Sequence, residues 1–393
     1  MLFKYDLKLD SQNCIYQYSN HHEFCVSPIP GRKDIISLLS RSQPPSIFNY
    51  ENRSLICYGS RSVLLKRAII IPNNYELFLS PWIADGSFSY PHPSIRHDWK
   101  AWFPSAHNAI FDSATQKLVN SIRDDAFDGL VCALDENPKY IIKNHDDANN
   151  YWHWTFEWLP RLFALKELMN SNRLLRNISL INIGSSLNSF QQQWLNIMFG
   201  SSLKVIHHSS PILCENLLWV TPVFPAHHSK ETLTKIRESI IHADLFNEIK
   251  SQREALSRIY ILRGNARNGR HVVNEKEIIE GLQKLGFKAI SMDGLSIYEQ
   301  AFIFSSAEIV IGPHGSAFVN MVFCGNNCRI LELFGPGYLS GHDYSLALCC
   351  GLDWDYLEGE TIDHTPTFVS DFYINNDRLL AKVHSMISDV KGS

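Results

Sequence analysis

Glu308-Ile309-Val310-Ile311-Gly312-Pro313-His314-Gly315-Ser316-Ala317-Phe318-Val319-Asn320-Met321-Val322-Phe323, followed shortly by Arg329-Ile330-Leu331-Glu332-Leu333-Phe334, is the stretch on which the fold turns. An apolar run broken at Gly-Pro, an amphipathic segment and a second apolar run predict strand, loop, helix and strand, which is one βαβ unit. Its loop falls at the carboxyl end of a strand and the amino end of a helix. There, free backbone N–H groups and the helix dipole favour a phosphate or another anion. Gly315 would let the backbone come close to a ligand. Taken alone, such a loop is an ordinary tight turn of an α/β core, and its surroundings change that reading.

Working back from it, the chain alternates. Arg258 to Leu262 reads as a strand, Asn274 to Leu285 as a helix, Lys288 to Met292 as a strand and Ile297 to Ser305 as a helix. This spacing predicts a doubly wound parallel sheet, in which ligands sit at the carboxyl ends of the strands. Arg263 directly follows one strand, and Arg267, Arg270 and His271 follow it in a loop with Gly264 and Gly269. That loop and the His314-Gly315 loop therefore open on one edge. Guanidinium groups beside a helix amino terminus suit a diphosphate, whose oxygens Arg grips bidentately. Asn274 and Glu275 open the next helix, with capping as their default role. Cys324 and Cys328 lack a second pair at zinc spacing and read as buried thiols.

Further out, Val131 to Leu134, Tyr140 to Ile142, Ser179 to Ile183, Lys204 to His207 and Leu217 to Thr221 read as strands of a first α/β domain, with a helix over Ser189 to Phe199. Between them lies Tyr151-Trp152-His153-Trp154-Thr155-Phe156-Glu157-Trp158-Leu159-Pro160-Arg161-Leu162, after a polar loop rich in capping residues. His153 and Glu157 stand four apart and share a helical face, beside Pro160, where the helix is expected to kink or restart. Rings that exclude water perturb proton affinities, as general acid–base chemistry needs. The competing reading is a capped aromatic core helix whose His and Glu satisfy one another. The His227-His228 pair reads as solvated loop, and one long helix is expected over Lys230 to Ser251. The first hundred residues carry short β-like runs such as Val63 to Ile71, and their Trp82, Trp99 and Trp102 read as core filling or, less simply, a sugar platform.

The composition bounds these readings. A chain of 393 residues with 45% apolar residues can bury two domains. A formal net charge of -4 argues against a generic nucleic-acid binder. Nine scattered cysteines suggest reduced thiols and a cytoplasmic protein. The start shows no signal-like pattern and no stretch has the apolar length of a membrane span, so a soluble, cytoplasmic protein is expected, compatible with peripheral membrane contact. No G-x-G-x-x-G follows an expected strand, which weighs against a dinucleotide oxidoreductase.

Three ordered segments resemble glycosyltransferase family 61, which includes eukaryotic protein O-linked and xylan-decorating transferases and many bacterial capsule and lipopolysaccharide proteins. Tyr151-Trp152-His153-Trp154 through Leu159-Pro160-Arg161 is similar to its N-Y-x-H-W…L-P-R segment. Leu262-Arg263 through Arg270 and Asn274-Glu275 resembles its R…R…N-E segment. His314-Gly315-Ser316-Ala317 through Asn320-Met321-Val322-Phe323 and Ile330-Leu331-Glu332-Leu333 resembles its H-G-A-x-x-x-N-x-x-F…V-I-E-L segment. Ser316 stands where Gly or Ala is usual, and Cys324-Gly325-Asn326-Asn327 replaces a Pro-Gly-rich turn.

The resemblance implies a GT-B-like α/β architecture of two Rossmann-like domains facing across a cleft. It also implies inverting transfer from a nucleotide-sugar donor, expected to be UDP-linked, to a glycan or lipid-linked glycan acceptor, with no cofactor and no obligatory metal. Such an in-line displacement needs a base on one side and positive potential on the other. His153 or Glu157 falls to the base side. Arg263, Arg267 and Arg270, the Gly315 and Ser316 amides and His314 fall to the diphosphate, and Glu332 to donor hydroxyls; Asn274, Glu275 and Asn320 belong to the same donor-side motifs. The expected organisation is a β-rich extension over 1–105, an acceptor domain over 106–228, a donor domain over 229–370 and a closing helix over 371–393, in a protein of bacterial surface-polysaccharide assembly. The rival is a non-catalytic nucleotide- or glycan-binding module with the same fold.

Overall fold

A computed structural model describes residues 149–171, 178–183, 185–200, 205–208, 228, 230–264, 269–362 and 364–390. It also gives the backbone of the strands Tyr16–Gln17, His22–Cys25, Ser54–Cys57, Arg61–Ile70, Leu77–Leu79, Ile83–Asp85, Val131–Ala133, Lys139–Lys143 and Ile212–Val220. Arg267, His227, Trp82, Trp99 and Trp102 lie outside the described residues. The chain forms two compact units, 1–23 with 56–225, and 24–55 with 226–393.

In the second unit five strands form one parallel sheet in the order Lys288–Ser291, Arg258–Leu262, Ile309–Pro313, Arg329–Phe334, Asp353–Glu358. Numbered along the chain this is 2-1-3-4-5, and the order reverses between the Arg258–Leu262 and Ile309–Pro313 strands. The crevice beyond their carboxyl ends is the topological switch point, where open parallel sheets bind ligands. Ile309–Pro313 is buried at every position because helices cover both sheet faces, and this is why its sequence reads as a continuous apolar run. One core face joins Tyr260, Ile309, Ile311 and Leu331 to Ile278 and Leu282 of the Glu275–Gln283 helix and to Leu379, Val383 and Met386 of the closing Asn376–Val390 helix.

In the first unit Val205–His208, Ser179–Ile183, Lys139–Lys143 and Ile212–Val220 pair in parallel. Arg61–Ile70 then adds antiparallel to Ile212–Val220, so strands from the first hundred residues extend the same sheet. The aromatic segment begins as the helix Tyr151–His153, capped by the Asn150 side chain accepting from Trp152 N–H.

Several elements differ from expectation. The restart expected at Pro160 falls one residue earlier: the helix widens to π geometry over Trp154–Trp158 and runs on as α-helix over Leu159–Ser171. The Leu159 N–H reaches Trp154 C=O, and the wider turn makes room for a ring that has no N–H to give. The expected long helix is two, Lys230–Ile241 and Asp244–Gln252, with Ala243 extended between them. The segment Ser316–Phe323 is a 3-10 helix rather than an amphipathic α-helix, and Phe318 to Phe323 are all buried. His228, expected in solvent, is 3% exposed, and its carbonyl accepts from the Cys349 thiol. Cys324 and Cys328 are free and buried, as read from their spacing. No helix among the described residues is long and apolar enough to cross a membrane.

Candidate active site

Two groups of predicted residues take shape, one in each unit. In the first, Trp152, Trp154, Phe156 and Trp158 are buried and Trp152 meets Phe156 edge to face, with ring centres 4.7 Å apart. The helix thereby turns His153 and Glu157 to its outer side. His153 Nδ1 hydrogen-bonds Glu157 Oε1, with 33% and 17% of the two side chains exposed. The helical spacing thus brings the pair together and leaves it open to an approaching hydroxyl. Arg161, one turn further, is buried with its guanidinium 4.3 Å from the Trp158 ring centre.

In the second unit Arg263 leaves the first strand and crosses the switch point. Its Nε donates to Gly269 C=O, and one terminal nitrogen donates to His314 C=O at 2.5 Å. One guanidinium therefore ties the two predicted loops together. Gly315 is the residue this needs, since a Cβ there would lie 2.6 Å from that guanidinium nitrogen. Its backbone is extended, so it is the close approach of Arg263, rather than a left-handed conformation, that requires glycine. The amides of Gly315 and Ser316 precede the first bond of the 3-10 helix, Phe318 N–H to Gly315 C=O at 3.1 Å.

Arg270 has φ of 61°, and among the described residues it alone of the non-glycines is left-handed. The 364–371 segment holds it there: Arg270 N–H donates to Val369 C=O, while His271 N–H donates to Asp371 Oδ1. The Arg270 guanidinium carbon stands 4.9 Å from the Tyr338 ring centre. Burial brings Arg263 down to about 10 and lowers Arg270 as well, and Arg263 is lowered further by the Arg270 charge. Two half-buried cations at one edge, close enough to repel, are a place where an anion is favoured.

Beneath them His314 is pinned by its surroundings. His314 N–H donates to Leu333 C=O, and the ring stacks on Phe334 with centres 5.1 Å apart. Nδ1 meets Glu332 Oε1 and, at 3.1 Å, Asp343 Oδ2, and Trp354 Nε1 donates to Glu332 Oε2 at 3.0 Å. Burial first, and then the Asp343 charge, push the Glu332 carboxyl well above the usual range. Glu332 is therefore 0% exposed and fully engaged inside the fold, where the sequence reading had it accepting donor hydroxyls.

The remaining predicted residues support the scaffold. Asn320 is buried and donates to Gln300 Oε1 and Ala317 C=O. Asn274 makes no side-chain cap; its amide instead exchanges two bonds with the backbone of Ile374 and fastens the final segment. Glu275 accepts from the Tyr260 hydroxyl at 3.1 Å, and burial raises its carboxyl.

His314, Glu332 and Asp343 offer ligand-type atoms within 4.8 Å of one another, close enough to consider for a metal ion. Nδ1, however, already faces both carboxyls, and the Arg270 charge acts on both. The chain also carries a D-x-D triplet, Asp353-Trp354-Asp355, the pattern that holds a metal in other transferases. It lies at the opposite, amino-terminal edge of the sheet, where Asp353 pairs with Arg329 and Asp355 with Lys382.

A family model described as Glycosyltransferase 61 matches residues 151–331. That segment is similar to glycosyltransferase family 61. No curated protein matches the chain. The family 61 match begins at the aromatic helix and ends within the Arg329–Phe334 strand, so it contains His153, Glu157, Arg263, Arg270 and His314. Asp343 lies beyond it, on the His342–Cys350 helix. The sequence gives little sign of that helix, because Asp343 to Ala347 are all buried and there is no polar face to mark a period. Asp343 is the site residue the motifs missed.

Proposed function

We propose that this protein is an inverting, metal-independent glycosyltransferase that moves a sugar from a nucleotide donor, UDP-linked by expectation, onto a glycan or lipid-linked glycan hydroxyl. The observation that carries the proposal is the Arg263 guanidinium bridging the Gly269 and His314 carbonyls at the switch point, with Arg270 beside it. A departing diphosphate needs positive potential that is already in place, and two oriented guanidinium groups supply it without a metal. Arg267 falls in the same loop and is assigned the same role.

On the acceptor side the His153–Glu157 pair is the candidate base. Glu157 orients His153, or His153 orients Glu157, and the exposed partner takes the hydroxyl proton as the oxygen attacks the anomeric carbon. The proposal includes a GT-B arrangement of the two units, a cytoplasmic protein with peripheral contact at the inner membrane, and a role in bacterial surface-polysaccharide assembly.

The test is calorimetric titration with UDP, GDP and CMP, each with and without chelator, followed by product analysis with the matching donor. Tight binding that survives chelation, together with a product of inverted anomeric configuration, is the expected result. Binding that vanishes with chelator would overturn the metal-independent reading. Binding without any transfer across a panel of glycan acceptors would favour a non-catalytic binding module.

A further inference from the structure

The buried group beneath the two arginines has more parts than anion binding requires. A guanidinium pair alone can hold a diphosphate, yet His314 is placed below it with two carboxyls on one ring nitrogen. The groups facing this ring are Glu332 on its strand, Asp343 on the His342–Cys350 helix, Arg263 and Arg270 from the loop after Leu262, and Tyr338 from the Gly335–Gly341 turn. Trp354 occupies the other Glu332 oxygen, and Asp343 Oδ1 is buried without a hydrogen-bond partner. With Nδ1 engaged, Nε2 is the nitrogen left to meet a ligand.

We propose that Asp343 is a positioning residue that holds the His314 ring and stabilises its imidazolium, so that diphosphate binding at the arginine edge draws a proton from solvent onto His314. The inference rests on the reading of this edge as a diphosphate site. Without ligand, burial lowers the affinity of His314 for a proton; the Asp343 hydrogen bond and charge act the other way, and Arg270 and Arg263 lower it further. An arriving diphosphate offsets the two arginine charges and adds negative charge beside the ring. The balance then tips towards imidazolium, with Asp343 as its counter-charge beside a Glu332 carboxyl that burial holds well above the usual range. The bond formed is N–H on the imidazole, and the proton comes from buffer. At the end of transfer the same proton can neutralise charge building on the leaving phosphate, and it returns to solvent when the product leaves.

The sign follows directly. A group that is neutral in the free protein and protonated in the complex makes binding tighter as pH falls, by about tenfold per pH unit in the limit of full coupling. The experiment is titration calorimetry of the whole protein with UDP, GDP and inorganic pyrophosphate, in two buffers of different ionisation enthalpy, between pH 6 and 8. For whichever probe binds, about one proton is taken up per molecule bound near neutral pH. Asp343→Asn, with its melting temperature as the folding control, loses most of that uptake and flattens the pH dependence. His314→Gln does the same and carries the test should the Asp343 variant fail to fold. Binding with no uptake in the natural protein, or uptake that persists in either variant, overturns the inference while leaving the diphosphate site intact. Failure of all three probes to bind removes the diphosphate reading itself, and this inference with it.

Discussion

Two histidines in this molecule each hydrogen-bond a glutamate through Nδ1, and their settings are opposite. His153 and Glu157 sit on the outer side of an aromatic helix with 33% and 17% of their side chains exposed. His314 lies at 14%, against a glutamate at 0% and an aspartate at 1%. The first pair can exchange a proton with a substrate hydroxyl and with water. The second is largely enclosed, keeps company with two guanidinium groups, and responds to charge placed above it. In the proposed function the same two side chain types serve as a base in one setting and as a charge-sensing support in the other, and burial makes the difference.

The largest effect that could break this comparison is on the exposed pair. His153→Ala, or Glu157→Gln, lowers turnover by about 10²- to 10⁴-fold with nucleotide affinity nearly unchanged, read by steady-state kinetics beside calorimetry. Full turnover in both variants would make the pair structural. Next comes the buried side: Arg263→Ala weakens nucleotide binding by roughly 10- to 100-fold, because charged hydrogen bonds and the tie between two loops are lost together. Arg263→Lys fails to restore it, since a single ammonium cannot reach both the Gly269 and His314 carbonyls in the same geometry. A lysine variant that binds normally would reduce Arg263 to a point charge. A smaller change sharpens the same point, as Gly315→Ala sets a methyl 2.6 Å from that guanidinium nitrogen. It weakens nucleotide binding by about fivefold, which is about 1 kcal/mol. Smallest is Trp354→Phe, which removes the donor to Glu332 and lowers unfolding free energy in urea by about 1 kcal/mol with turnover largely kept.

Much of the fold was legible because its strands are covered on both sides. Arg258–Leu262, Ser179–Ile183 and Arg329–Phe334 fall at the expected bounds, and the apolar runs that mark them are the direct result of burial between helices. The Arg263 and His314 loops were legible too, since glycine and proline punctuate the strand ends. What pattern could not show is chemistry set by contact at a distance. Asn274 reads as a cap, yet it bonds to Ile374, one hundred residues away. Gly315 reads as room for a ligand, yet the space is taken by Arg263. Asp343 sits on a helix with no polar stripe, so neither period nor motif points to it. Glu332 reads as a strand-end hydroxyl acceptor, and only its neighbours reveal that it is enclosed.

The strand order has a consequence for how this protein is made. The Arg258–Leu262 strand is the first of the five-stranded sheet to leave the ribosome, yet both of its sheet partners, Lys288–Ser291 and Ile309–Pro313, are synthesised after it. Arg263 meets the His314 carbonyl only across 51 residues, and Asp343 arrives later still. The nascent domain must therefore wait with an unpaired central strand, a state that exposes apolar edges to aggregation and to chaperones. Chains stopped short of the His342–Cys350 helix would lack the counter-charge of the site while already carrying its arginines.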